Sequence, residues 1–157
     1  MDRVVTITLN PALDVSTTTE HVTPEHKLRC QAPDYDPGGG GINVARAITR
    51  LGGPAVALYT CGGPYGEMLK RLLDHEGVRH QPVPIEGLTR ESLTVIEAST
   101  NRQYRFGFPG PTLREEEWQS FLDYLATVDD PPDYVVASGS LPPGAPVDFN
   151  ARLARAV

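Results

Sequence analysis

Pro37-Gly38-Gly39-Gly40-Gly41-Ile42-Asn43-Val44-Ala45-Arg46-Ala47-Ile48-Thr49-Arg50-Leu51 decides how this chain is read. Four consecutive glycines hand over to a segment whose apolar residues Val44, Ala47, Ile48 and Leu51 fall at i, i+3, i+4 and i+7. That period predicts one buried face of a helix, closed by Gly52-Gly53. Glycines ahead of a helix let a ligand approach the backbone, and the free N–H groups of a helix start favour oxygen-rich or anionic groups. No Gly-Lys-Ser/Thr follows, so the run is not a Walker A loop. Its spacing after Pro37 is not that of a dinucleotide-binding fingerprint either. A flexible turn that merely seats the helix is the competing reading.

On the N-terminal side, the β-branched run Val4 to Leu9, closed by Asn10-Pro11, predicts a first buried strand. Asp14 to Glu20 predicts a second, more exposed one, and Lys27-Leu28-Arg29-Cys30 resumes an extended pattern that stops at Pro37. On the C-terminal side, Ala55 to Tyr59 reads as a strand and Tyr65 to His75 as a helix closed by Gly77. Ser92 to Ala98 and Gln103 to Phe108 flank a polar turn and read as a hairpin. Thr112-Leu113-Arg114-Glu115 carries a capping-box signature ahead of a helix through Trp118, Phe121, Leu122 and Leu125. Asp133 to Ala137 reads as a buried strand leading into Ser138-Gly139-Ser140-Leu141-Pro142-Pro143-Gly144. Strands alternating with helices predict an α/β fold, a parallel helix-flanked sheet, with a small β-subdomain built from two insertions near 14–36 and 79–108. The amphipathic segment Val147 to Val157 stops without a cap. The expectation is that the chain is a fragment, with an open sheet edge at 133–137.

Charge and composition narrow the function. Of 157 residues, 14 are Lys or Arg and 20 are Asp or Glu, a formal net charge of −6. That balance supplies no basic face for nucleic acid or a membrane surface. No apolar run approaches the ~20 residues of a membrane span, and the N-terminus has no signal-peptide shape. Cys30 and Cys61 are too few and too far apart for a disulfide framework or a CxxC pair, so reduced thiols in a cytoplasmic protein are expected. Glycine and proline, 15 of each, cluster at a few corners and read as tight turns around a site.

Several side chains are candidates for chemistry. Asp14 lies just past the end of the first strand, where open α/β sheets bind ligands. It reads as an acceptor for sugar hydroxyls or as a turn cap. Lys27, Arg29, Arg90 and Arg105 all fall in the two β-insertions of an acidic chain, where a phosphorylated ligand would need cations; singly, each also reads as a solvated surface residue. The hydroxyls and N–H groups of Ser138-Gly139-Ser140 follow a strand end and suit a phosphate, or form a plain turn. His21, His26, His75 and His80 show no metal-ligand spacing, so no metal site is expected, and no nucleophile–base pair stands out.

Thr8-Leu9-Asn10-Pro11-Ala12-Leu13-Asp14, the Pro37 to Arg46 glycine segment and Ser138 to Gly144 together resemble the phosphofructokinase B (ribokinase-like) sugar kinases, in the family's order along the whole chain. Lys27-Leu28-Arg29-Cys30 and a glycine at Gly40 resemble its minor bacterial 6-phosphofructokinase branch. The 1-phosphofructokinases, which usually place Lys in that run, are the nearest rival, and tagatose 6-phosphate is another conceivable acceptor. The resemblance implies a ribokinase-like three-layer α/β sandwich with a β-lid that covers the sugar and forms a homodimer. It also implies ATP- and Mg2+-dependent phosphorylation of the 1-hydroxyl of fructose 6-phosphate. Carried over by motif, Asp14 and Gly39, Gly40, Gly41 and Asn43 would hold sugar hydroxyls. Arg90, Asn43, Ser138 and Ser140 would take the phosphate end. Lys27 would reach a ligand of the partner subunit, with Arg29 and Arg105 as further phosphate contacts. The family's catalytic base lies in a Gly-Ala-Gly-Asp motif that these 157 residues do not contain, since Pro146 interrupts Gly144-Ala145. No catalytic residue is therefore assigned here. The chain is expected to supply the N-terminal, sugar-phosphate half of such an enzyme and to be inactive alone; a binding or dimerisation module is the non-enzymatic alternative.

Overall fold

Alternation along the first strand splits it between two cores: Val5, Ile7 and Leu9 face one side, Thr6 and Thr8 the other. In the computed structural model, which describes residues 3–128 and 131–156, the elements run β1 (Val4–Thr8), β2 (Ala12–Thr19), β3 (Asp34–Gly38), α1 (Gly40–Arg50), β4 (Ala55–Cys61) and α2 (Gly63–His75). They continue as β5 (His80–Pro84), β6 (Arg90–Glu97), β7 (Arg102–Gly107), α3 (Glu115–Thr127), β8 (Tyr134–Ala137) and α4 (Phe149–Ala156). Two sheets result. The main one has the order β5-β4-β1-β8 and is parallel throughout. The second has the order β3-β2-β6-β7, with β2 and β6 parallel and the outer pairs antiparallel.

Three layers form around the main sheet. Ile42, Ala45, Leu69 and Leu73 of α1 and α2 pack on Ala55, Ala57, Tyr59 and Cys61. On the opposite face, Trp118, Phe121, Leu122 and Leu125 of α3 join Phe149 and Leu153 of α4 against Val5, Ile7, Leu9 and Leu58. The strand–helix alternation, the hairpin and the separate small sheet were all legible in the sequence.

Five expectations need correction. First, α1 buries Ile42 and Ala45; of the expected face Ile48 packs against the same core and Val44 is half-buried, but Ala47 is exposed and Leu51 is 87% exposed. Its rotation is set by its first turn, where the Ile42 N–H donates to Thr8 Oγ1 at 3.1 Å and the Gly41 N–H to the Ser138 carbonyl at 3.1 Å. Second, Lys27 to Cys30 is not a strand; the chain pairs only over Asp34–Gly38, continuing through Pro37 at the sheet edge, where a missing N–H costs nothing. Third, β5 belongs to the main sheet, paired with β4, so the second insertion starts at Arg90 and not near 79. Fourth, β8 lies at the sheet edge as expected, but it is not a buried strand, with Tyr134 58% exposed. Fifth, the helix opened by the expected capping box starts later: buried Glu117 accepts the Arg114 N–H at 2.8 Å and the Glu86 N–H at 2.7 Å, and Thr112 lies outside it. Val157, the last residue of the expected C-terminal helix, lies outside the described residues.

Phe149 is fully buried and meets Trp118 and Phe121 edge-on, each at 6.4 Å between centroids. Phe149→Ala should therefore cost about 3–5 kcal/mol, read as a lowered urea midpoint. A loss below about 1 kcal/mol would mean that α4 is not part of this core.

Candidate functional site

The glycine run is shaped by contact. Gly39 adopts φ 125°, which residues with a Cβ rarely reach. A Cβ on Gly41 would lie 2.6 Å from both the Ile7 carbonyl oxygen and Thr8 Oγ1. One on Gly40 would lie 2.8 Å from the Ser138 carbonyl carbon and 2.9 Å from the Gly139 nitrogen. The start of α1 is thus pressed against the carboxyl ends of β1 and β8. This brings Gly39, Gly40, Gly41, Asn43, Ser138 and Ser140 into one corner, with Asn43, Ser138 and Ser140 exposed to solvent.

Strand register supplies the facing wall. Asp14 on β2 sits opposite Asp36 on β3 and Ser92 on β6, and Arg105 on β7 pairs with Thr94 two residues further on. One face of the second sheet therefore carries Asp14, Asp36, Arg90, Ser92, Thr94 and Arg105, side chains of alternating register. Its other face carries Leu13, Val15, Tyr35, Leu93, Val95, Tyr104 and Phe106. Asp14 is half-buried. Its carboxyl is pushed above the usual aspartate range chiefly by desolvation; the nearby Asp36 adds to this, while Arg90, Arg105 and Arg46 oppose it.

Asn10 joins the two halves, and sequence reasoning did not single it out. Its amide N–H donates to Ser140 Oγ at 3.0 Å, and its Oδ1 accepts from Arg90 Nε at 3.1 Å. Arg90 also donates to the carbonyls of Phe108 at 3.2 Å and of Asn10 at 3.4 Å. A guanidinium has five N–H donors, so three are committed to the protein and two are left for a ligand. Asn10 stands at the corner closing β1 and inside the Thr8 to Asp14 motif, and neither signal by itself gives it a role. Arg90 also borders a depression of about 420 Å³ with Tyr65, Leu88 and Phe108. A depression of about 470 Å³ on α2, by Glu67 and Arg71, brings none of these groups together.

Lys27 and Arg29 are not drawn in. Both are exposed in the irregular segment between β2 and β3, and neither side chain has a hydrogen bond or ion pair within the described residues. Arg105 is exposed but lies within electrostatic reach of Asp14. Among the described residues, no three His, Cys, Asp or Glu side chains stand together as metal ligands. No helix there is long and apolar enough to cross a membrane.

The family model of pfkB family carbohydrate kinases matches residues 2–157. The chain is 50% identical over 152 residues to ATP-dependent 6-phosphofructokinase isozyme 2 of Mycobacterium tuberculosis, a match covering 97% of this chain and 45% of that protein. Phosphofructokinase-2 of Escherichia coli, solved in complex with fructose 6-phosphate, superimposes with a TM-score of 0.92 at 43% identity over 99% of this chain and 51% of that one. The same enzyme in a tetrameric inhibited form gives 0.91 at 44% identity over 99% and 51%. The likeness bears out the ribokinase-like sandwich implied by the motifs. The chain spans about half the length of the curated relatives it matches.

The raised Asp14 carboxyl carries a stability consequence. Its ionisation is harder in the folded chain than in the unfolded one. The resulting penalty is absent below 3.8, the ordinary value, and grows as pH rises through the raised value. Asp14→Asn should therefore match the parent chain in strongly acid solution and gain in thermal midpoint over it toward neutrality. A midpoint difference independent of pH, or of opposite sign, would contradict the burial account.

Proposed function

The chain belongs to the pfkB family of carbohydrate kinases, and from that premise we propose that it is the sugar-phosphate-binding part of an ATP-dependent 6-phosphofructokinase of glycolysis. In that reaction O1 of fructose 6-phosphate attacks the γ-phosphorus of ATP, the bond to the bridging oxygen of ADP breaks, and the hydroxyl proton passes to a base. Phosphoryl transfer depends on positioning and on electrostatic stabilisation of the moving phosphoryl group. This chain's share is the positioning of the acceptor. Asp14 accepts hydrogen bonds from sugar hydroxyls, the Gly39 to Asn43 turn lets the ring approach the backbone, and Arg90 with Ser138 and Ser140 takes the 6-phosphate. ATP would be the donor, and Mg2+, when bound, would supply charge neutralisation to its phosphates. No side chain of these residues is assigned to either of them, or to the base.

The observation that carries the reading is the Arg90 guanidinium. It is held on Asn10 with two N–H groups to spare, beside a carboxylate, at the strand ends where a glycine turn leaves room for a ligand. Gly40 favours the 6-phosphofructokinase reading over the 1-phosphofructokinase one. A lysine there would start from a Cβ lodged against the backbone of Ser138 and Gly139. We propose further that the second sheet is a lid, with Lys27 and Arg29 reaching a ligand in the partner subunit. Its apolar face would be the homodimer contact, since Tyr35 is 39% and Phe106 49% exposed on it. A cytoplasmic location fits the two unpaired cysteines.

Two experiments test this. Calorimetry should show the chain binding fructose 6-phosphate and Arg90→Gln weakening it about ten- to a hundredfold, the loss of charge-assisted hydrogen bonds. The chain alone with ATP should release no ADP. Unchanged affinity in Arg90→Gln, or sugar-dependent ADP release, would sink the respective claim. For the dimer, Phe106→Glu should sediment as a monomer where the parent is a dimer; a dimer that survives the charge would place the interface elsewhere.

A further inference from the structure

Arg46 lies one helical turn beyond Asn43 on α1, with only 13% of its side chain exposed. Its guanidinium makes five contacts. Nε and Nη2 form a fork on Glu76, at 2.8 and 2.5 Å. Nη2 also reaches Asp36 at 3.2 Å, and Nη1 donates to the Pro37 carbonyl at 3.0 Å and to Asn43 Oδ1 at 3.3 Å. Five N–H groups meet five acceptors, so nothing is left over for a ligand. Arg46 is spent inside the protein, in contrast to Arg90.

The contact with Asn43 has a chemical consequence. Amide oxygen and nitrogen are ordinarily interchangeable in placement, but a guanidinium only donates, so the atom facing Arg46 has to be the oxygen. The Asn43 NH2 is then the half turned away from Arg46. Glu76, at the carboxyl end of α2, holds Arg46 in place through the fork, and Arg50 meets the same carboxylate at 3.2 Å. The fork also holds the Glu76 carboxyl below the usual range, so it is ionised at neutral pH.

We propose that Glu76 and Arg46 are positioning residues that turn the Asn43 amide so that it presents its N–H2 donors, and not its oxygen, to the ligand. The inference rests on the reading of Asn43 as a sugar-phosphate contact. Position 43 then selects a ligand acceptor, a phosphate or hydroxyl oxygen, and the selection is enforced from α2 through one arginine.

The test uses the 15N-labelled chain, with Asn43→Ala, Glu76→Gln, the double variant and Asn43→Asp, and fructose 6-phosphate as probe. Glu76→Gln keeps the shape but weakens the grip on Arg46. It should shift the Asn43 side-chain amide signal and weaken binding about five- to tenfold, the worth of a misdirected hydrogen bond. In the Asn43→Ala background it should weaken binding no further. Asn43→Asp, which keeps an oxygen for Arg46 but loses the donors, should keep the thermal midpoint and lose affinity at least as much as Asn43→Ala. An unmoved Asn43 signal in Glu76→Gln would overturn the proposal whether or not sugar binds. So would effects of Glu76→Gln and Asn43→Ala that multiply, or Asn43→Asp binding as the parent does. If Asn43→Ala binds as tightly as the parent, it is the ligand role of Asn43 that fails.

Discussion

How closely the start of α1 approaches the ends of β1 and β8 is the constraint on which the rest of this site depends. A single methyl group on Gly41 would sit 2.6 Å from the Ile7 carbonyl oxygen, so the helix seats only because there is none. Once seated, its first N–H groups find Thr8 Oγ1 and the Ser138 carbonyl, satisfying donors that a helix start leaves unpaired. Those two bonds also set the rotation of α1. That rotation turns Ile42 and Ala45 into the core and leaves Asn43 at the solvent side. The sheet, the helix and the serine turn are thus one construction, and the ligand corner is the space left where they meet.

Two arginines divide the electrostatic work by how many of their donors are spoken for. Arg46 is saturated by Glu76, Asp36, Pro37 and Asn43 and ties α2, β3 and α1 to one another. Arg90 is held by Asn10 and Phe108 with donors to spare. An arginine with no free donor sets geometry; one with free donors and a fixed plane suits bidentate recognition of a phosphate. Chain charge says nothing of this. Within a chain of net charge −6, the sheet register places Arg90 and Arg105 on the same face as Asp14 and Asp36.

Features that depend on short-range pattern were legible in the sequence. The glycine run, the hairpin about Ser99 to Arg102 and the α3 core positions all came from local spacing, and the family likeness came from three motifs. Features set by a partner distant in the chain were not. The face of α1 is only partly legible, because Val44, Ala47, Ile48 and Leu51 fit the helical period as well as Ile42 and Ala45 do. Thr8, 34 residues from Ile42, sets the rotation that buries Ile42 and Ala45 and keeps only Ile48 of the others against the core. β5 was assigned to the wrong sheet because a short strand carries no mark of its neighbour. It lies at the sheet edge, where Pro82 and Pro84 are tolerated. Asn10 escaped notice for the same reason: its partners, Arg90 and Ser140, are 80 and 130 residues away.

Asp14 shows what the arrangement costs before a ligand arrives. It stands directly across β2 and β3 from Asp36, and like charges so placed repel. It is also partly desolvated, and the arginines around it do not fully offset that, since its carboxyl remains above the ordinary range. A core would resolve such a conflict by losing the charge or adding a donor. Here Arg46 is saturated, and the hydrogen bonds that Arg90 makes go to Asn10 and Phe108, not to Asp14. Under the proposed function, sugar hydroxyls would bring hydrogen bonds to a carboxylate that burial leaves partly desolvated. On that reading, part of the affinity for a polyhydroxylated ligand would come from the hydrogen bonds it offers this carboxylate.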